Sequence, residues 1–336
     1  MGQKKMNSIG IFVLVSLSVV SCSRFDNDAI VRVSRQNNSG TYVYFRNAVI
    51  GKGGEFKLGS IDQSGSKDVV ELVSKTPLAI GYSGMAYATP EVKMLKIFGG
   101  KEKVAVAPNV ANVQNGSYPI ARPLFIYTKE EPKGAVKEYI DWIYSEEGQK
   151  IVEDVGYVPV ETKGPAKLGS STLASIQVSG SDTMVNLAQQ WAEIYGSKYG
   201  NNKIQVSGGG SGVGIAGLMD GTVDMANTSR KMKPKELALA KEKNGVEPKE
   251  FIVGADAVAV YVHKNNVLNE ISLEQLKEIY GSNGAITHWP QLTPQVASKV
   301  SNGLPYNFLI TVFSKSIPTT PLTINARNIE TITYAL

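Results

Sequence analysis

The sequence has little of what redox and metal chemistry require: one cysteine, Cys22, and two histidines, His263 and His288, in 336 residues. A single thiol excludes disulfides within the chain and any structural zinc site built from thiolates. Neither histidine has a second His or Cys at ligand spacing, so both read as surface or packing residues and no metal or cofactor is expected. The chain also lacks any run of five or more basic residues, and its formal charge of +5 is scattered, which argues against nucleic acid as a partner. A mean hydropathy of -0.10 leaves room for at most one membrane segment, which excludes polytopic transport. No Walker-type lysine follows the glycine clusters, and no serine stands in a Gly-x-Ser-x-Gly elbow. Gly212-x-Gly214-x-x-Gly217 formally matches a dinucleotide fingerprint, but its glycines fall within a helical pattern rather than in the turn before it.

What is present suits two ordinary α/β domains: 42% hydrophobic and 19% charged residues, over a length that can fill two cores. Lys4 and Lys5 precede the apolar run from Ile9 to Val20, too short to span a bilayer comfortably and ordered like an export signal. Val19-Val20-Ser21-Cys22 follows and resembles the bacterial lipobox, whose cysteine is lipidated and becomes the new N-terminus. Residues 1–22 are therefore expected to be a lipoprotein signal peptide, and the mature chain extracytoplasmic.

Periodicity predicts a strand over Ile30 to Val33, a helix opening near Ser39, a helix over Lys67 to Lys75, and strands at Leu78 to Tyr82 and Pro123 to Thr128. After Pro132 one amphipathic helix is expected through residues 133–155, with Val136, Ile140, Ile143 and Ile151 on its core face. Residues 161–175 read as a linker. Beyond it, strands at Ile176 to Val178, Lys203 to Val206 and Val223 to Ala226 alternate with helices at Thr183 to Tyr199 and Ser211 to Met219, which implies parallel pairing and crossovers. A helix over Pro234 to Lys243, an apolar strand region from Phe251 to Val262 and a helix over Ser272 to Tyr280 follow. Residues 293–336 show no period and are expected to be an irregular tail.

Three times a short strand runs into a turn of glycine and small hydroxyl residues that opens a helix: Asn38-Ser39-Gly40-Thr41, Gly180-Ser181-Asp182-Thr183 and Gly208-Gly209-Gly210-Ser211-Gly212. A helix N-terminus gathers unpaired N–H groups at the positive end of the helix dipole, and glycine lets an anion approach the backbone. One such turn is an ordinary helix cap. Three of them, with Arg35 four residues before Ser39, point to a site that wraps a small tetrahedral oxyanion, to which Arg35 would present a bidentate fork.

At these residues the chain resembles the PstS phosphate-binding proteins, the extracytoplasmic receptors of bacterial phosphate ABC transporters. The resemblance rests on SRQNNSGTYVYF (34–45), QSGSKDVVELV (63–73), AIGYSGMAY (79–87), GSYPIARPLFIYT (116–128), YIDWIYSEEGQKIVEDVGYVPV (139–160), GSDTMVNLAQQWAEIY (180–195), GGGSGVGIAGLMDGTVDMANTSRKMK (208–233) and LKEIYGSNGAITHW (276–289). It implies an α/β, two-lobed type II periplasmic-binding-protein fold. The order departs from the family: the segment with Arg35 and Ser39 comes first, ahead of the GSDT and GGGSG segments that usually open the chain. The sequence therefore reads as a circular permutation, or as a fusion of rearranged tandem copies. One lobe would comprise 30–116 with 264–292, the other 117–263, joined internally by the 161–175 linker. The new break would lie between Leu292 and Ala29, a surface position of the kind that tolerates permutation. The halves could pair within one chain, exchange as a swapped dimer, or fail to assemble a cleft, leaving a non-binding interaction protein or rearrangement product.

The resemblance implies a binding role rather than catalysis, with inorganic phosphate as ligand, a membrane permease as partner and Cys22 as lipid anchor. It carries phosphate-binding roles to Arg35, Ser39, Gly40 and Thr41, to Thr183 and the Met184 amide, and to Ser211 and Ser229. Some family members have a carboxylate after the third strand, where this chain has Thr228-Ser229-Arg230. A carboxylate accepts the proton of hydrogen phosphate and repels fully ionised sulfate. Asp182 is the replacement candidate for that role, and Arg230 is expected either to add positive charge or to face solvent. A phosphoryl-processing enzyme on the same scaffold would need a nucleophile or metal ligands that the sequence does not supply.

Overall fold

A computed structural model describes residues 28–99, 104–165, 175–200 and 203–292. The leader with Cys22, most of the linker and the 293–336 tail lie outside the described residues. The first part of the chain supplies β1 (Val31–Arg35), α1 (Gly40–Phe45), β2 (Ile61–Gln63), α2 (Ser66–Lys75), β3 (Ala79–Gly84), β4 (Val92–Met94), β5 (Lys96–Phe98) and α3 (Val110–Gln114). α1 runs on through a π-helical stretch, Arg46–Ile50. Then come β6 (Ala121–Thr128), α4 (Gly134–Ile143), α5 (Glu146–Asp154), β7 (Ile176–Gly180), α6 (Val185–Tyr199), β8 (Ile204–Gly209), α7 (Ser211–Asp220) and β9 (Met225–Thr228). The last described part holds α8 (Pro234–Asn244), β10 (Lys249–His263), β11 (Glu270–Ser272) and α9 (Leu273–Tyr280).

The alternation of strand and helix produces parallel pairing, as crossover connections require. β1 lies parallel to β2 and β3, while β7 lies parallel to β8 and β9. The two parallel groups are joined through β6 and β10, giving the order β2-β1-β3-β10-β6-β9-β7-β8. β10 makes the join by its length. Its first part pairs antiparallel with β6, from Lys249 opposite Thr128 to Ala257 opposite Ala121, and its last part pairs antiparallel with β3, from Val258 to Val262. A strand buried on both faces must be apolar almost throughout, which explains the near-continuous run in this segment.

Two main cores flank this join. One gathers Val33, Phe45, Val69, Val73, Tyr82 and Ile97 from the first part of the chain with Val260, Leu276, Tyr280 and Trp289 from the last. The other gathers Tyr139, Ile140, Trp142 and Ile143 of α4 with Ile151 and Val152 of α5 and Leu187, Trp191 and Tyr195 of α6. A smaller cluster around Phe125, Ile215, Leu218 and Ala240 seats α7 and α8 on the opposite face of the second half-sheet. The two extremities of the described chain meet: Ile30 N donates to Thr287 O at 2.8 Å and Trp289 N to Asp28 O at 3.0 Å. No helix among the described residues is long and apolar enough to cross a membrane.

The single helix expected over 133–155 is two helices. Ser145 breaks it by capping α5: its Oγ accepts from Gly148 N at 3.2 Å and donates to Trp142 O at 2.6 Å. The break lets α4 and α5 contribute Ile140, Ile143 and Ile151 to one core from two directions, with the half-buried Val136 packed at its edge. Ser145→Ala should therefore destabilise the protein by about 1–2 kcal/mol, measured by urea unfolding; a loss near zero would mean that the cap does not hold the corner.

Candidate functional site

The three glycine and hydroxyl turns converge where the two half-sheets adjoin. Ser39 caps α1 with an extended backbone, its Oγ accepting from Thr41 N at 3.1 Å and Tyr42 N at 3.4 Å. Because that oxygen is occupied as an acceptor, its proton remains free to donate. Gly40 is required by close approach: a Cβ there would lie 2.3 Å from Ser211 Oγ and 2.5 Å from Ser229 Oγ. Ser211 begins α7, and its Oγ accepts from Ser229 N at 3.1 Å, tying the glycine-rich turn to the end of β9. Thr41 Oγ1 and Thr183 Oγ1 lie 2.9 Å apart, although they belong to different halves of the molecule. Asn38 completes the junction, donating from Nδ2 to Gly209 O at 2.9 Å and accepting at its carbonyl from Gly212 N at 3.1 Å.

Arg35 is fully buried at the end of β1. Its Nε donates to Gln63 O at 3.2 Å, Nη1 to Ser66 Oγ at 2.9 Å, and Nη2 to Ser64 O at 2.7 Å and Asp182 Oδ2 at 2.8 Å. A guanidinium has five N–H donors, so these bonds leave one, on Nη1. The bidentate fork expected from the sequence is thus committed to the 63–66 loop and to Asp182. Burial lowers the Arg35 pKa, against the pull of Asp182, yet a guanidinium stays charged through such shifts. Asp182 is engaged through both oxygens: Oδ2 pairs with Arg35 and Oδ1 accepts from Gly209 N at 2.9 Å. Its side chain is 16% exposed, so the ion pair forms a partly wet seam between the halves. The Met184 amide donates to Ser181 O at 2.9 Å, which turns it back into its own loop.

Arg230 neither faces solvent nor adds a free charge to the site. It forms a two-pronged pair with Glu236, 2.7 Å at each contact, because Glu236 in the first turn of α8 reaches back to it. The pairing holds the Glu236 carboxyl below its ordinary range against the opposing effect of burial.

Two charged residues that the sequence reading passed over lie beneath the hydroxyls. Arg122 of β6 and Asp256 of β10 are Cα partners in the strand register, with side chains 1% and 0% exposed. Asp256 Oδ2 accepts from Arg122 Nη2 at 2.9 Å and Nε at 3.2 Å, while Oδ1 accepts from Met85 N at 3.2 Å. Burial raises the Asp256 pKa, against the pull of Arg122 and the Met85 amide. Arg122 also donates to Thr41 Oγ1 at 3.0 Å, Thr183 Oγ1 at 3.2 Å and Ser229 O at 3.2 Å. A signal for this pair exists in the sequence, since opposite charges inside two strongly apolar strands have to find each other.

Chemically, the arrangement is a set of hydroxyl and amide donors backed by two buried guanidinium groups, suited to holding an oxyanion. The sheet holds the turn after β7 firmly: Gly180 has φ 137°, and a Cβ there would lie 2.2 Å from Asn227 O. Gly180→Ala should cost at least about 2 kcal/mol in urea unfolding; a variant of wild-type stability would contradict this account of the turn.

Comparison with known proteins gives a consistent picture. A family model described as PBP superfamily domain matches residues 24–147 and 165–317. The chain is 34% identical over 224 residues to the phosphate-binding protein PstS 2 of Streptococcus agalactiae serotype V, covering 66% of this chain and 70% of that protein. It is 25% identical over 303 residues to the phosphate-binding protein PstS 2 of Streptococcus pneumoniae serotype 4, covering 86% of this chain and 99% of that one. The crystal structure of a phosphate-binding protein of a phosphate ABC transporter from S. pneumoniae TIGR4 superposes with a TM-score of 0.61 at 25% identity, over 79% of this chain and all of that one.

Proposed function

The chain belongs to the PstS family within the PBP superfamily, and from that premise we propose that it captures inorganic phosphate between its two halves and delivers it to the permease of a phosphate ABC transporter. The observation that carries this reading is the convergence of Thr41, Thr183, Ser211 and Ser229, from four separate segments, above the buried Arg122 and beside Arg35. Capture needs no bond-making. The hydroxyls of Ser39, Thr41, Thr183, Ser211 and Ser229, with backbone N–H groups at Gly40 and Met184, would replace the water around the anion, and Arg35 would supply charge. The Met184 amide and the Thr41–Thr183 contact rearrange in this reading, as the two halves part to admit the anion and close over it.

The lobes we assign are 30–116 with 264–292 and 117–263. The division into two main cores supports a two-lobed partition, with the difference that Tyr118, Ile120 and the last part of β10, Ala257 to Val262, pack in the first core rather than the second. The same pattern supports a circularly permuted order closed within one chain, because the bonds between residues 28–30 and 287–289 bring the new ends together without a peptide link. Residues 161–175 would join the former termini. Export and lipidation at Cys22 would hold the protein at the outer face of the cell membrane, beside its permease.

Asp182 is the carboxylate we assign to discrimination. Its charge offsets Arg35, so the site is less attractive to a fully ionised anion than the arginine alone would make it.

Phosphate at a hundredfold excess over its Kd should raise the melting temperature of the mature chain by about 5–10 °C, and equimolar sulfate should not; a cooperative transition indifferent to phosphate would refute the assignment. Asp182→Asn should narrow the ratio of phosphate to sulfate affinity at least tenfold in titration calorimetry, whereas an equal loss for both anions would reduce Asp182 to a structural cap.

A further inference from the structure

Arg122 and Asp256 form the only ion pair among the described residues in which both side chains are essentially inaccessible. Burying two charges is costly, and such a pair often contributes less stability than apolar residues of the same shape. The carboxylate does not use up the guanidinium. Asp256 takes Nε and one N–H of Nη2, Nη1 donates to Ser229 O, and the remaining N–H of Nη2 falls between Thr41 Oγ1 and Thr183 Oγ1. The Tyr44 ring covers the guanidinium, its centroid 5.6 Å from Cζ.

A threonine hydroxyl has one proton and two lone pairs. Once its oxygen accepts from a guanidinium below, the proton can be given only elsewhere. Thr41 and Thr183 are both in this position, one in α1 and the other in the turn after β7; the proton that one gives the other across 2.9 Å is released for the anion when that contact opens, as the proposed capture requires. We infer that Arg122, oriented by Asp256, is the positioning residue that makes Thr41 and Thr183 obligatory donors toward the bound anion and thereby couples the two halves to it. This rests on the proposed phosphate site. Asp256 has a second effect: it neutralises Arg122 at the floor, so the residue directs protons without adding a net charge beneath the ligand.

The test is a mutant cycle read by calorimetric titration with inorganic phosphate, on the mature chain, with melting temperatures in phosphate-free buffer as the folding control. The paired change Arg122→Gln with Asp256→Asn removes both ions together and strands neither charge. It should weaken phosphate binding at least tenfold, and should cost at least threefold less in a Thr41→Val background, where one of the two hydroxyls to be oriented is gone. Arg122→Lys keeps the charge beside Asp256 but cannot reach both hydroxyls and Asp256 at once; it should reproduce the loss and serves if the paired variant does not fold. Unchanged phosphate affinity in a folded variant overturns the inference, and so does an equal cost with and without the Thr41 hydroxyl, which is what a purely structural pair would give. A wild-type chain that takes up no phosphate overturns the functional reading and the inference together, so the two failures are told apart by the wild-type titration.

Discussion

Everything in this molecule hangs on β10. One continuous strand of fifteen residues pairs with β6 over its first part and with β3 over its last, so two parallel half-sheets share a single extended backbone. Each half keeps its own core, and the two are linked where β6 and β10 pass from one to the other. Arg122 and Asp256 sit at that crossing, and the turns at residues 38–41, 180–184 and 208–212 meet above it. The junction of the two half-sheets is also the place where an anion would be held.

The electrostatics of the site follow from pairing each buried cation with its own acid. Arg35 answers to Asp182 and Arg122 to Asp256, while Arg230, nearby in sequence, is withdrawn by Glu236. An unpaired guanidinium in such a place would bind any small anion, and its own burial would be uncompensated. With the charges offset, directional donors would be left to hold an anion, and in the proposed site the charge of Asp182 is what sets hydrogen phosphate apart from fully ionised sulfate.

Much of the fold was legible from periodicity because its elements obey local rules. The stop after Lys75, the strand at Ala79–Gly84, the capped starts at Ser39 and Ser272, and the apolar run that became β10 each follow from a few neighbouring residues. The break at Ser145 was not legible, since an amphipathic period continues across it and only the packing of α4 and α5 on one core reveals the corner. In the site, the hydroxyls and glycines announced themselves by their turns. Arg122 and Asp256 show in the sequence only as charges inside apolar strands, and Asn38 only as part of its turn, because each matters through a partner far away in the chain.

Which groups are available can be read along the chain: hydroxyls and amides at helix starts, glycines where the backbone must come close, and almost no thiol or imidazole to permit other chemistry. These are local properties, set by spacing along a few residues. Which of these groups meet depends on the assembled fold. The register of β6 against β10 set Arg122 opposite Asp256, and the docking of α1 against α7 pressed Gly40 onto Ser211 and Ser229. It also committed most of Arg35 to its own loop and to Asp182, leaving a single N–H where the sequence promised a fork. Hydrogen-bond donors are finite, and only the assembled neighbourhood settles how each one is spent.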